Sequence, residues 1–151
     1  MNGTAEAAVT NPWSVALEHD PDPALRRDIL APLVADNETA GGPSRGELLA
    51  VTVRDAAGAV VGGLWGRTGY GFLFVELLAL GPAKGLGLGR TVMGMAEAEA
   101  RRRGLLGMWV DTFTFQAPGF YPKLGFTECG RITGYPPGHD RIFFVKRFGP
   151  G

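Results

Sequence analysis

The sequence is poor in the residues that cross-link a chain or hold a metal ion. One cysteine, Cys129, and two histidines occur among 151 residues. An internal disulfide is therefore impossible, and no metal centre is expected. The charges also cancel, because 15 Lys and Arg side chains balance 15 Asp and Glu side chains. Proteins that bind nucleic-acid phosphates normally carry a basic excess, so no nucleic-acid partner is expected.

Long apolar segments are missing as well. The longest strongly apolar run, Phe72–Leu80, contains Glu76 and is far shorter than a bilayer-spanning segment. The N-terminus has no basic region followed by an apolar segment, so we expect no export signal. These absences favour a protein of a reducing compartment, by default the cytoplasm, with no membrane partner.

Glycine is present in excess, with 24 Gly beside 11 Pro. That composition indicates many turns and at least one loop built on glycine. The chain length suits one domain with a substantial hydrophobic core. We therefore expect a single domain over residues 1–151, with residues 1–11 as a flexible tail.

The spacing of apolar residues predicts an α+β fold. Hairpins come first, then a strand–helix–strand unit, then a helix and a hairpin, which favours a mostly antiparallel sheet with one parallel crossover. The helix after the glycine loop is expected to present Leu88, Val92, Met95 and Ala96 on one face. The predicted strands are Trp13–Leu17, Leu48–Val53, Ala59–Trp65, Phe72–Leu80, Met108–Phe113, Phe126–Arg131 and Arg141–Arg147. The predicted helices run from Pro23 to before Gly41, from Leu88 to about Arg103 and over Gln116–Lys123.

An anion site is expected where the strand Phe72–Leu80 passes through the glycine-rich turn Lys84–Arg90 into a helix. The first N–H groups of a helix have no partners, and the helix dipole makes that end positive. The alternative is a tight connection that needs small residues for packing. The P-loop pattern fails because Gly89 is followed by Arg90 and Thr91, and the dinucleotide fingerprint is also unmet.

Two segments carry a family resemblance. The run Lys84–Gly89 resembles the acyl-CoA pyrophosphate loop of the GNAT superfamily of N-acetyltransferases, and Ala117–Phe126 resembles that family's Ala-x-x-Phe-Tyr-x-x-x-Gly-Phe segment. Lys84 stands where the family has Arg or Gln, and Thr114 where Asn is frequent. The resemblance implies a mixed, mostly antiparallel sheet with one splayed parallel strand pair, flanked by about four helices.

The same resemblance implies a function. The implied activity is that of an N-acetyltransferase, which transfers an acetyl group from acetyl-CoA to a primary amine directly in a ternary complex. The resemblance also implies a homodimer, because members of the family often form one. The acceptor is either a small-molecule amine or a protein amine. Two other functions stay open: a non-catalytic acyl-CoA-binding module and a nucleotide-phosphate binder. The implied cofactor-binding residues are Leu78, Ala79, Leu80, Lys84, Gly85, Leu86, Gly87, Leu88, Gly89, Arg90, Thr114 and Ala117.

Tyr121 and Glu76 are the candidate catalytic acid and base. The pKa values of a phenol, about 10, and of a thiol, about 8.5, are close enough for Tyr121 to protonate the departing sulfur. This is the role that the resemblance implies. Its alternative is an aromatic side chain packed against its neighbours. Glu76 is the charge inside an apolar strand, so it either lines a cleft as a base or pairs with an arginine across the sheet.

Three further residues are considered for a role in the site. His139 is a rival base, or part of a rigid surface turn. Asp111 either binds an acceptor ammonium or pairs with Arg141. Cys129 is expected to be a small buried hydrophobe, because no Cys–His signature surrounds it.

Overall fold

The structure is a computed structural model that describes residues 11–149. The flexible tail predicted for residues 1–11 lies outside this range, apart from Asn11. The chain divides into two compact units, one ending at Asp36 and the other beginning at Asn37. The single domain predicted for the whole chain stays a prediction.

The first helix, α1, spans Leu25–Gly41 and buries none of its residues. Just before it, the backbone N–H of Ala24 donates to Oδ1 of Asp22 at 2.9 Å. The strand predicted over Trp13–Leu17 is wrong, because those residues are exposed and form neither helix nor strand. An alternating apolar pattern makes a strand only where a neighbouring strand completes its hydrogen bonds.

The second unit is built on a six-stranded sheet in the order β1-β2-β3-β4-β6-β5. Its strands are β1 (Leu48–Arg54), β2 (Val60–Gly69), β3 (Phe72–Ala79), β4 (Gly107–Phe113), β5 (Thr127–Thr133) and β6 (Asp140–Arg147). All neighbouring strands are antiparallel except β3 and β4. The expected mixed sheet with one parallel pair is therefore confirmed.

Helix α2 (Leu88–Arg102) makes the crossover from β3 to β4, and α3 (Phe120–Lys123) follows β4. The described residues thus hold three α-helices and one 3-10 turn, Gly81–Ala83, instead of about four helices. Helix α3 is shorter than predicted because Gln116 serves the end of β4: its Oε1 accepts bonds from the Thr112 hydroxyl at 2.9 Å and from the Phe113 N–H at 3.1 Å.

The core lies between α2 and one face of the sheet. There Leu73 of β3 and Met108 of β4 are fully buried. The α2 residues that pack on them are Gly89, Val92, Met93, Ala96 and Ala100. Met95, predicted on this face, is 58% exposed, because at about 100° per residue it lies on the far side of the helix from Met93. Cys129 is exposed, not buried, because it lies on the edge strand β5, which pairs with β6 alone.

A bulge in β3 interrupts the centre of the sheet. Trp65 of β2 pairs with Leu77, while the next residue, Gly66, pairs with Val75, so Glu76 has no partner in β2. A Cβ on Gly66 would lie 2.8 Å from the Phe74 carbonyl oxygen, so only glycine permits this close approach of β3. The parallel pairing of β3 with β4 ends at this same point, with Val75 opposite Val110.

Within residues 11–149, no helix is long and apolar enough to cross a membrane. The same residues contain no group of three or more His, Cys, Asp or Glu side chains that could hold a metal ion.

Candidate functional site

The bulge leaves an open gap in the sheet. Beyond Val75 and Val110 both strands continue, to Ala79 and Phe113, but across residues 11–149 no further pair joins them. Leu78 and Ala79, two predicted cofactor-binding residues, lie on this stretch of β3, and a third, Leu80, follows it. Main-chain groups on an unpaired strand edge can accept an extended ligand as though it were another strand.

The glycine loop lies at the end of β3. After the 3-10 turn the chain passes through Lys84 and Gly85 to Gly87, which begins α2 in the left-handed conformation with φ of +77°. No N–H from Gly85 to Gly87 donates to another group of the described chain, and Leu86 is 73% exposed. Together with the free N–H groups of the first α2 turn, they form a set of unpaired donors, and we term this segment, Lys84–Arg90, the donor loop.

Packing joins this loop to α3. A Cβ on Gly89 would lie 3.2 Å from the Phe120 ring and 3.3 Å from Leu80, so α3 begins beside the first turn of α2. A cavity of about 240 Å³ there is lined by Arg90, Met93, Gly94, Glu97, Lys123, Leu124, Phe126 and Lys146. Lys146 is held by Glu97 at 2.7 Å, whereas Arg90 and Lys123 make no ion pair within the described part of the chain. Of the predicted binding residues Lys84 to Arg90, Arg90 thus lies on a cationic surface with Lys123 and Lys146.

Tyr121 is packed on the face of the sheet that α2 covers. Its ring contacts Phe126 and Phe144 with centroid distances of 5.9 and 5.5 Å, and the residue is 7% exposed. Its hydroxyl has no protein partner, yet no buried side-chain oxygen of the described residues is unpaired, so the hydroxyl reaches solvent. Burial, and secondly the nearby charge of Asp111, raise the pKa of Tyr121 to about 12.

That pKa corrects the expected match between phenol and thiol. Without a ligand, Tyr121 is a weaker acid than a thiol of pKa about 8.5 by a factor of a thousand or more. The hydroxyl therefore remains protonated at all physiological pH values. Its direct chemical capacity is hydrogen-bond donation to an anion beside it.

Glu76 occupies the bulge on the opposite face of the sheet. Its Oε2 lies 3.8 Å from Nε of Arg67, with 45% of the Glu76 side chain exposed. The Arg67 guanidinium in turn lies 5.4 Å from the ring centre of Phe74, which stacks on Trp109 at 3.9 Å. Both interpretations of Glu76 are therefore compatible with this geometry, because the ion pair is long and leaves the carboxylate accessible.

Asp111 is engaged by Arg141. Nη2 and Nε of Arg141 donate to Oδ1 of Asp111 at 2.6 and 2.9 Å, and 14% of the Asp111 side chain is exposed. Of the two interpretations, the ion pair with Arg141 is the one present. Asp111 follows Val110 directly, so this ion pair lies where the gap begins.

Thr114 is bound to the loop that connects β5 and β6. Its N–H donates to the Asp140 carbonyl at 3.0 Å, and its hydroxyl accepts the Asp140 N–H, also at 3.0 Å. The same hydroxyl lies 3.4 Å from Nδ1 of His139. Ala117 is exposed and accepts a bond from the Phe120 N–H, away from these contacts. The structure thus places Thr114 with His139, and Ala117 with α3.

The sequence interpretation missed the aromatic rings at this end of the sheet. Phe113 stacks on Phe115 with centroids 4.9 Å apart and lies 5.6 Å from the Tyr135 ring. The signal was present in the sequence, since aromatic residues at positions 113 and 115 follow a buried strand. Their convergence with Tyr135 requires the pairing of β4 with β6 and was not readable from either segment alone.

The gap therefore has two differently equipped sides. The donor loop and Tyr121 lie on the side of α2, whereas Glu76, Asp111 and the aromatic rings lie on the other. A ligand in the gap would be exposed to a hydrogen-bond donor from one face and to a carboxylate from the other. Such an arrangement suits the transfer of a group between two molecules that enter from opposite faces.

Known proteins share this architecture. The model of the Acetyltransferase (GNAT) family matches residues 12–126. The chain is 37% identical over 128 residues to Acetyltransferase Atu2258 of Agrobacterium fabrum, covering 84% of this chain and 93% of that protein. It is 42% identical over 91 residues to Blasticidin-S acetyltransferase of Streptomyces morookaense, covering 59% and 67% respectively. A crystal structure from Agrobacterium tumefaciens superposes with a TM-score of 0.84 at 35% identity, covering 90% of this chain and 100% of that one.

The environment of Tyr121 can be tested by alkaline denaturation. Because burial raises the pKa of Tyr121 to about 12 from about 10 in the unfolded chain, the folded state keeps its proton longer. Stability from this group is complete below pH 10 and is lost as the pH rises towards 12. From pH 9.5 to 11.5 we expect the wild type to lose on the order of 2 kcal/mol more unfolding free energy than Tyr121→Phe in urea titrations. Parallel pH curves for the two proteins would refute the shifted pKa.

Proposed function

The chain belongs to the acetyltransferase (GNAT) family and is an acyltransferase, and from this premise we propose that it transfers an acetyl group from acetyl-CoA to a primary amine within a ternary complex. The observation that carries the proposal is the gap beyond Val75 and Val110, with the donor loop on one face and Glu76 on the other. In this proposal acetyl-CoA binds on the side of the sheet that α2 covers, and the amine binds on the opposite side with Glu76, which we term the acceptor side.

Acetyl-CoA would lie with its pyrophosphate at the loop. The open N–H groups from Leu86 to Arg90 and the positive end of α2 suit two phosphates. The side chains of Lys84 and Arg90 add charge at either end of the loop. The pantetheine arm would extend along Leu78, Ala79 and Leu80, where its amides can pair with the free edge of β3. This places the thioester at the bulge.

The reaction needs a deprotonated amine and a protonated sulfur. The amine nitrogen attacks the thioester carbon, the new C–N bond forms, and the C–S bond breaks to release CoA. Tyr121 donates a hydrogen bond to the sulfur as negative charge develops on it, and the departing CoA thiolate then takes its proton from solvent. Since its unliganded pKa is about 12, its first contribution is to stabilise the thiolate.

Glu76 is the base that this geometry favours. It lies on the acceptor side at the bulge, and its ion pair with Arg67 is long, at 3.8 Å. His139 is the alternative, but its Nδ1 faces the Thr114 hydroxyl at 3.4 Å. This contact suits either tautomer: with Nδ1 as the acceptor, Nε2 carries the ring proton, and with Nδ1 as the donor, Nε2 keeps a lone pair. Glu76 is therefore proposed as the base on its position at the bulge and its exposure, and takes the amine proton directly or through water.

A small-molecule amine is the acceptor class we favour over a protein amine. One relative is named for acetylating blasticidin S, and the acceptor side here carries aromatic and charged side chains between β4 and the β5–β6 loop. The acyl-CoA-binding module and the nucleotide-phosphate binder remain the competing functions, and the experiments below separate them.

The loop assignment is tested by Gly87→Val. A Cβ at Gly87 meets no protein atom within 4 Å, but the φ of +77° is unfavourable for valine. The side chain and the backbone shift would disturb the donor loop. We expect acetyl-CoA affinity to fall by about tenfold or more in calorimetric titration.

Gly104→Val is the matched control. Gly104 lies just past the opposite end of α2 with φ of +73° and equally open surroundings, so its backbone cost is similar but it is remote from the loop. Its acetyl-CoA affinity should equal that of the wild type. Equal affinity in Gly87→Val would refute the pyrophosphate site. Preference for ATP or NAD over acetyl-CoA would establish the nucleotide binder instead.

The catalytic roles are tested by release of CoA thiol in the presence of a primary amine. Tyr121→Phe and Glu76→Gln should each lower kcat by about a hundredfold or more, with little change in the KM of acetyl-CoA. His139→Gln should stay within a few fold of the wild type. The reverse ranking of the Glu76 and His139 variants would move the base to the imidazole. Tight acetyl-CoA binding without turnover of any amine would establish the non-catalytic module.

A further inference from the structure

We propose that the acceptor carries a flat, unsaturated ring a short distance from its primary amine, and that Phe115 and Tyr135 hold this ring. The inference rests on the proposed function, whose acceptor side it specifies. It follows from four rings that meet beyond the end of β4, which we term the ring cluster: Phe113, Phe115, Tyr135 and His139.

The ring cluster is assembled from two segments by specific contacts. Phe115 stacks on Phe113 with an interplanar angle of 11° and lies nearly perpendicular to the His139 ring, with centroids 5.1 Å apart. The Tyr135 N–H donates to the His139 carbonyl at 2.8 Å, which shapes the β5–β6 loop beside these rings. The faces available to a ligand are therefore held in position before it arrives.

The outer rings of the cluster are not covered by protein. Phe115 is 55% exposed and Tyr135 is 46% exposed, although both are large apolar side chains with partners nearby. Both side chains contact Phe113, so their exposed parts form one aromatic surface that a planar group can contact.

The charge around the ring cluster favours a neutral group over an anion. The Arg141 guanidinium lies 5.3 Å from the centre of Phe113 and 5.6 Å from that of Tyr135. Its charge is neutralised by Asp111 at 2.6 Å, so it does not offer a free anion site. A neutral planar ring can contact the same aromatic side chains that the Arg141 guanidinium contacts.

The position of the ring cluster fixes where the amine lies. Phe113 is three residues beyond Val110, the last residue of β4 that pairs with β3. At about 3.3 Å per residue, the rings lie roughly 10 Å along β4 from Val110, where β3 and β4 separate. A ring stacked there places an amine near Glu76 when a chain of a few atoms joins the two. Glu76 is the accessible carboxylate on this face at the bulge, with 45% of its side chain exposed.

The test compares two amines that differ only in ring unsaturation, 4-phenylbutylamine and 4-cyclohexylbutylamine, whose four-carbon chain spans most of the distance from the ring cluster to the bulge. With the wild type and saturating acetyl-CoA, kcat/KM should be about tenfold higher for 4-phenylbutylamine. In Phe115→Leu and in Tyr135→Leu this ratio should fall towards one, while the KM of acetyl-CoA stays unchanged. Binding of each amine is followed in parallel by saturation-transfer NMR, so the preference is measured without turnover as well.

Tyr70→Leu is the control variant. Tyr70 is 49% exposed, like Tyr135, but lies in the turn between β2 and β3, at the far end of β3 from the gap. It should keep the wild-type ratio. A wild-type ratio near one, in both kinetics and binding, would overturn the ring assignment and leave the acetyltransferase intact. Failure of the proposed function would be recognised separately, by the absence of acetyl-CoA binding or of turnover with any primary amine.

Discussion

One unpaired residue determines what this sheet can do. Glu76 has no partner in β2, and at that point the parallel pairing of β3 with β4 stops at Val75 and Val110. Without this bulge the two strands would hydrogen-bond to their ends and the sheet would be closed. Gly66 makes the bulge possible, because any side chain there would collide with the Phe74 carbonyl. Backbone pairing that is lost inside the protein becomes available to a ligand.

The gap matters because its two faces differ. On the face of α2, the buried core holds Tyr121 rigidly and keeps its hydroxyl protonated, since burial raises its pKa to about 12. On the other face, the side chains beside the gap are charged or aromatic, and Glu76 lies at the bulge where β3 and β4 separate. In the proposed function, acetyl-CoA is therefore bound by main-chain groups and the N-terminal end of α2, whereas the acceptor amine is recognised by side chains. Side chains change more readily between relatives than a backbone bulge does.

Local sequence signals were sufficient for most of the fold. Strand β3 was predicted as Phe72–Leu80 and spans Phe72–Ala79, because its apolar run is bounded by glycines. The start of α2 was predicted at Leu88 for the same reason. Signals that depend on distant pairing were not sufficient. The bulge at Glu76 is set by register against β2, and the expected strand at Trp13–Leu17 lacks a neighbour. The roles assigned to the site residues, and the homodimer that the resemblance implies, stay predictions.

The central claim is that acetyl-CoA occupies the gap and the donor loop together. Amide hydrogen exchange with and without acetyl-CoA tests it most directly, because it reports on each backbone N–H separately. The claim requires slower exchange over residues 78–80 and 85–90 when acetyl-CoA is bound, with β1 unchanged as an internal reference. Protection confined to other segments, or unchanged exchange at the loop under saturating acetyl-CoA, would contradict it.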